Sequence, residues 1–107
     1  MNVIDMHCDT IAQIYRTQNQ KETQRLLSNN LCIDLQKMKQ GGYLLQNFAM
    51  FVDKGEEENP LETALGMIDC YYQELNENND WRAPVFSYED ILKNQKNGKM
   101  SAMLTLE

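Results

Sequence analysis

His7 and Asp9 stand two residues apart at the end of a short apolar run, Val3-Ile4-Asp5-Met6-His7-Cys8-Asp9-Thr10. In an extended strand, side chains two positions apart point the same way. An imidazole and a carboxylate would therefore project together where that strand ends. Such a pair suits a divalent metal such as zinc, which takes N and O donors at about 2.0–2.2 Å. His7 is the only histidine of the chain, and the plainer alternative is a residue that closes a strand-to-helix turn. Cys8, between the two, would point to the other side and reads as a small buried residue. Glu107 is a third candidate donor. It follows the last predicted strand, where alternation groups it with Ser101, Met103 and Thr105. Sites in parallel α/β folds lie at the carboxyl ends of strands, and all three candidates fall at such ends. The alternative for Glu107 is an exposed side chain at the end of the sequence.

The elements that must position these residues can be read from periodicity and turn chemistry. Residues 3–7 form the first predicted strand, and Thr10 can cap a helix carrying Ile11, Ile14 and Tyr15. A polar stretch from Thr17 to Asn30 ends that helix, with a short helical piece expected near Arg25 to Leu27. Asp34 caps a short helix over 35–40, stopped by Gly41-Gly42. Residues 43–52 (YLLQNFAMFV) are the second strand, apolar almost throughout, as in a parallel sheet covered on both faces. The acidic run Glu56-Glu57-Glu58 belongs to a solvated loop. Pro60 then opens a helix in which Leu61, Ala64, Leu65, Ile68, Tyr72 and Leu75 form one core-facing stripe. Ser87-x-x-Asp90 resembles a capping box for a short helix, and Asn97-Gly98 turns the chain into a third strand over 100–106. Alternating strands and helices imply crossovers and parallel pairing.

The totals narrow the function classes. The chain has 107 residues, 42% hydrophobic and 24% charged, which fits one soluble domain and falls far short of the roughly 250 residues of a full β/α barrel. A formal charge of −6 argues against nucleic acid and anionic membrane as partners, since both reward clustered Lys and Arg. Cys8, Cys32 and Cys70 are odd in number and widely spaced, a pattern of reduced thiols rather than of a disulfide framework. No apolar run of about 18 residues occurs and no signal-like segment opens the chain, so a cytoplasmic location is expected.

Beyond these readings, the chain resembles the N-terminal part of the membrane (renal) dipeptidase family, the M19-type zinc peptidases. Ile4-Asp5-Met6-His7-Cys8-Asp9-Thr10 is similar to the family's first-strand signature, Asp-Gly-His-x-Asp. Asp34-Leu35-Gln36-Lys37-Met38-Lys39-Gln40-Gly41-Gly42 is similar to its segment ahead of the second strand, and Gln46-Asn47-Phe48-Ala49 to that strand. Tyr88-Glu89-Asp90-Ile91, Asn97-Gly98-Lys99 and Ser101-Ala102-Met103-Leu104-Thr105-Leu106-Glu107 resemble the run into the family's Gly-x-Glu-Gly-Gly.

The resemblance implies a partial (β/α)8 barrel, here the first three parallel strands with their helices, as one segment over 1–107. It implies hydrolysis of a dipeptide, with a D-residue tolerated at the C-terminal side. It places His7 and Asp9 among the ligands of a first zinc and Glu107 as the carboxylate bridging two zincs. Two metals of this kind acidify a water and polarise the scissile carbonyl. Asp5 would orient the site from behind the ligands or serve as a buried structural carboxylate. Met6 departs from the family's glycine. The family's two further histidines and its proton-handling Asp lie on later strands, so at most one weak zinc and no dipeptide hydrolysis are expected of this chain. With open sheet edges and an uncovered strand over 43–52, self-association or partial disorder is expected as well. Two rivals stand beside this reading: a non-catalytic interaction domain in which His7 and Glu107 are incidental, and another metal-dependent hydrolase barrel. A thiol-redox role for Cys8 lacks a resolving partner.

Overall fold

A computed structural model describes residues 3–18, 24–52 and 59–106. Glu107 and the run Glu56-Glu57-Glu58 lie outside the described residues. The elements in order are β1 (Val3–Asp5), α1 (Thr10–Thr17), α2 (Leu35–Gln40), β2 (Tyr43–Met50), α3 (Pro60–Glu77), β3 (Arg82–Pro84), α4 (Tyr88–Lys96) and β4 (Met100–Leu106). The strands form one parallel sheet in the order β1-β2-β4-β3. Parallel pairing joined by helical crossovers is what the alternation implied.

Three strands were expected, and the described residues hold four. β3 is only three residues long and contains a buried arginine and a proline, so neither length nor hydrophobic pattern marks it. It pairs with Met100–Ala102 at the edge of β4, and Arg82 Nη2 donates to the Glu74 carbonyl oxygen at 2.7 Å.

Three helices begin on side chains suited to the task. Asp34 accepts from the Lys37 N–H, Asn59 from Glu62 ahead of Pro60, and Ser87 from Asp90. The Asp90 carboxylate in turn accepts from the Phe86 N–H at 2.9 Å, so the predicted box closes one residue earlier than its usual form. Gly42, at φ +73°, turns the chain from α2 into β2. That backbone conformation favours glycine.

The core lies on one face of the sheet. Phe48 and Met50 of β2 and Met100 and Ala102 of β4 cluster with Ile11 and Ile14 of α1, Met38 of α2 and Met67, Cys70 and Tyr71 of α3. Alternation puts Ser101 on the opposite face, where its hydroxyl accepts from Asn94 Nδ2 of α4 at 3.2 Å. Residues of β2 from Leu45 to Met50 are buried on both faces. The expected uncovered strand is therefore absent. Apolar exposure falls instead on Phe86, Tyr88, Leu106 and one side of α3.

That side of α3 corrects the predicted stripe. Leu61, Leu65 and Tyr72 are 70%, 57% and 44% exposed, whereas the buried arc is Ala64, Met67, Cys70, Tyr71, Glu74 and Leu75. The helix carries apolar residues around more than half its circumference, and periodicity cannot choose between adjoining arcs. Packing on α1 does so. A Cβ on Gly66 would lie 2.5 Å from Tyr15 Cε1, so glycine lets the Tyr15 ring lie against α3 and turns the Met67 side to the sheet.

The expected helical piece near Arg25 to Leu27 is a loop. Local side-chain bonds replace helical ones there: Asn29 Nδ2 donates to the Arg25 carbonyl, and Asn29 and Asp34 side chains accept from backbone N–H groups of Leu31 and Asn29.

Candidate metal centre

The end of β1 delivers the first pair. His7 Nε2 lies 3.1 Å from Asp9 Oδ1, with each side chain about half exposed (49% and 55%). Both residues lie beyond the last strand residue, Asp5, in the turn that leads into α1. Asp5 Oδ1 accepts from the His7 backbone N–H at 3.3 Å, so this carboxylate holds the main chain of His7 and not its ring. Cys8 turns the other way, into the core, where burial pushes its thiol up to about 11. A thiol held protonated in this way is a poor nucleophile and a poor ligand.

Asp9 is the N-cap residue of α1, yet its side chain makes no capping bond. Thr10, expected to cap, is the first helical residue, and its hydroxyl donates to the Ile33 carbonyl oxygen at 3.2 Å. Aspartate is among the strongest N-caps because its oxygen satisfies an orphan N–H in the first turn. Here that oxygen faces an imidazole instead. A local rule is broken at the one place where chemistry was expected.

The donor set fits a small divalent metal. Two ligands on a tetrahedral ion with bonds of about 2.0–2.2 Å stand roughly 3.3–3.6 Å apart, a few tenths of an ångström wider than the His7–Asp9 separation of 3.1 Å. Neutral imidazole nitrogen and carboxylate oxygen are donors that zinc accepts. Among the described residues, however, no three His, Cys, Asp or Glu side chains gather into a group that could hold a metal. Glu107, the third candidate, lies outside those residues. β4 runs parallel to β1, so Leu106 and His7 stand at the same edge of the sheet, with β2 between the two strands.

Two features escaped the sequence reading. The first is a cleft of about 790 Å³ beside the pair, lined by Asp5, His7, Asp9 and Gln13 and, across it, by Asn30, Leu31 and Cys32. The loop that forms the far wall is tied down by Arg25, which pairs with Glu74 Oε1 at 3.0 Å and with Glu77. The second is Asn47 of β2, whose Nδ2 donates to the Met6 carbonyl oxygen at 2.8 Å and the Thr105 hydroxyl at 3.1 Å. The Gln46-Asn47 pair inside an otherwise apolar run was the available signal.

Known proteins share the fold. The family model described as membrane dipeptidase (peptidase family M19) matches residues 1–107. Among solved structures, the chain is similar to the dipeptidase AC, a metallopeptidase of family M19, with TM-score 0.80 and 21% identity over 100% of this chain. It is also similar to a metallopeptidase from Rhodobacter sphaeroides bound to a phosphinate mimic of the dipeptide L-Ala-D-Ala, with TM-score 0.81 and 17% identity over 100% of this chain. The chain spans 35% and 38% of the lengths of those two proteins. No curated protein matches it.

Proposed function

The chain belongs to the membrane dipeptidase family, peptidase family M19, and from that premise we propose that it carries the first-strand part of a zinc-dependent dipeptidase centre. His7 and Asp9 are donors to the metal. Asp5 would fix the main chain at the His7 N–H, and Glu107 would add a further carboxylate to the metal site. Zinc bound there supplies Lewis acidity toward water and toward a scissile carbonyl. The single observation that supports this reading best is the diversion of the Asp9 carboxylate from the α1 N-terminus to His7.

The substrate class is a dipeptide, in keeping with the L-Ala-D-Ala mimic bound to the Rhodobacter sphaeroides protein. The cleft between Asp9 and the loop at Asn30–Cys32 is the space available for it. One histidine in 107 residues cannot furnish imidazoles to a second ion. The chain by itself therefore holds at most one zinc weakly and does not turn over dipeptides. We place it in the cytoplasm, as one barrel segment over 1–107 that self-associates through its exposed apolar side chains. Among the described residues, no helix is long and apolar enough to cross a membrane.

Zinc titration by calorimetry tests the reading. Wild type should bind about one equivalent and His7→Ala should bind none. Equal uptake by both would remove His7 from the site and favour a non-catalytic interaction domain. Zinc-dependent release of alanine from L-Ala-D-Ala by this chain would overturn the statement that it is inactive alone.

A further inference from the structure

Asn47 is 4% exposed, at the middle of an apolar strand. Its two N–H donors are both used, one on the carbonyl that immediately precedes His7 and one on the Thr105 hydroxyl of β4. Its Oδ1 is buried with no hydrogen-bond partner among the described residues. Burying an acceptor unpaired is unfavourable, and such groups in a folded protein call for an explanation. An apolar residue would suit this strand better for packing alone. What the amide adds is a tie across three strands: from the end of β1, through β2, to the C-terminal half of β4. β1 and β4 are not neighbours in the sheet, and β1 ends its pairing with β2 at Asp5. Beyond Asp5 the segment keeps a main-chain bond to β2, from the Ala49 N–H to the Cys8 carbonyl oxygen at 3.1 Å, and the Asn47 amide ties the peptide just ahead of His7.

We propose that Asn47 is the positioning residue for the His7–Asp9 pair, setting where that pair stands relative to the end of β4. The inference rests on the metal reading above. It works through the backbone: the amide fixes the Met6 carbonyl, Asp5 fixes the His7 N–H two atoms further along, and the peptide between them has little freedom left. Loss of the amide releases one side of that peptide while leaving the core cluster of Phe48 and Met50 untouched.

The test exploits the single imidazole, whose Hε1 proton gives one proton resonance in the whole spectrum. Asn47→Leu removes both donations at similar volume. Asn94→Leu serves as the comparison, because Asn94 is likewise a buried amide joining elements, on Ser101 and the Ala83 carbonyl at the other end of β4. In metal-free protein at fixed pH, Asn47→Leu should move the His7 Hε1 and backbone amide resonances, and Asn94→Leu should not. Zinc affinity should fall about ten- to a hundredfold in Asn47→Leu, the usual effect of losing a group that orients a ligand, and stay within twofold in Asn94→Leu. If Asn47→Leu does not fold, Thr105→Val, which removes only one acceptor, takes its place with a smaller shift of the same resonances. Folded Asn47→Leu with unmoved His7 resonances, or both variants acting alike, overturns the inference. If wild type takes up no zinc, the metal reading fails, and the metal-free resonances alone decide whether Asn47 holds the segment.

Discussion

Asp9 sits where a helix asks for a cap and a metal asks for a donor, and it cannot serve both with the same oxygen. Asp9→Ser separates the two demands. Serine caps helices as well as aspartate does but cannot reach His7 in the same way. Its expected outcome is unchanged or raised stability, by up to about 1 kcal/mol in urea denaturation, together with loss of zinc uptake by calorimetry. Asp34 shows the ordinary case. Burial raises its pKa, but N–H bonds from Lys37 and Asn29 and the Lys37 ammonium outweigh that and hold the carboxyl below its usual value. A depressed folded pKa means its stabilisation is complete above the ordinary carboxyl range near pH 4 and is lost as pH falls through the folded value. Asp34→Ala should cost about 1–2 kcal/mol at pH 7, and the difference from wild type should shrink in denaturation curves taken below about pH 4. Glu74 runs the other way. Burial raises its pKa despite the Arg25 ion pair, so the cost of its charge is relieved as pH falls through that raised value.

Helix α3 shows how far an element can be read from its own residues. Its start at Pro60, its length and its helical nature follow from local chemistry, but the choice of buried arc depends on Tyr15 lying over Gly66. Two substitutions two residues apart measure the choice. Leu65→Lys, on the exposed arc, should change stability by no more than about 0.5 kcal/mol. Met67→Ala, fully buried, should cost about 2–5 kcal/mol. A larger cost for Leu65→Lys than for Met67→Ala would mean that the predicted stripe, and not the observed arc, faces the core. Strand β3 is the opposite case, an element that exists because β4 offers it an edge to pair with.

For the molecule as a whole, the net charge of −6 opposes association while the exposed Leu61, Leu65, Phe86 and Tyr88 favour it. Self-association through these side chains predicts a sedimentation coefficient that rises with concentration, and a monomeric profile for Leu61→Glu with Leu65→Glu. An unchanged profile in that double variant would place any association elsewhere.

What the sequence by itself determined is local. Strand–helix alternation, the caps at Asp34 and Ser87, the turn at Gly42 and the shared direction of His7 and Asp9 all depend on residues within a few positions of one another. Such contacts are dictated by backbone geometry, which every segment carries with it. Only the tertiary structure decided which arc of α3 is buried, that β3 joins the sheet, and that Asn47 reaches Met6, 41 residues before it, and Thr105, 58 residues after it. Those outcomes turn on which surfaces meet, and the energy of a meeting belongs to both partners, so neither partner's sequence contains it.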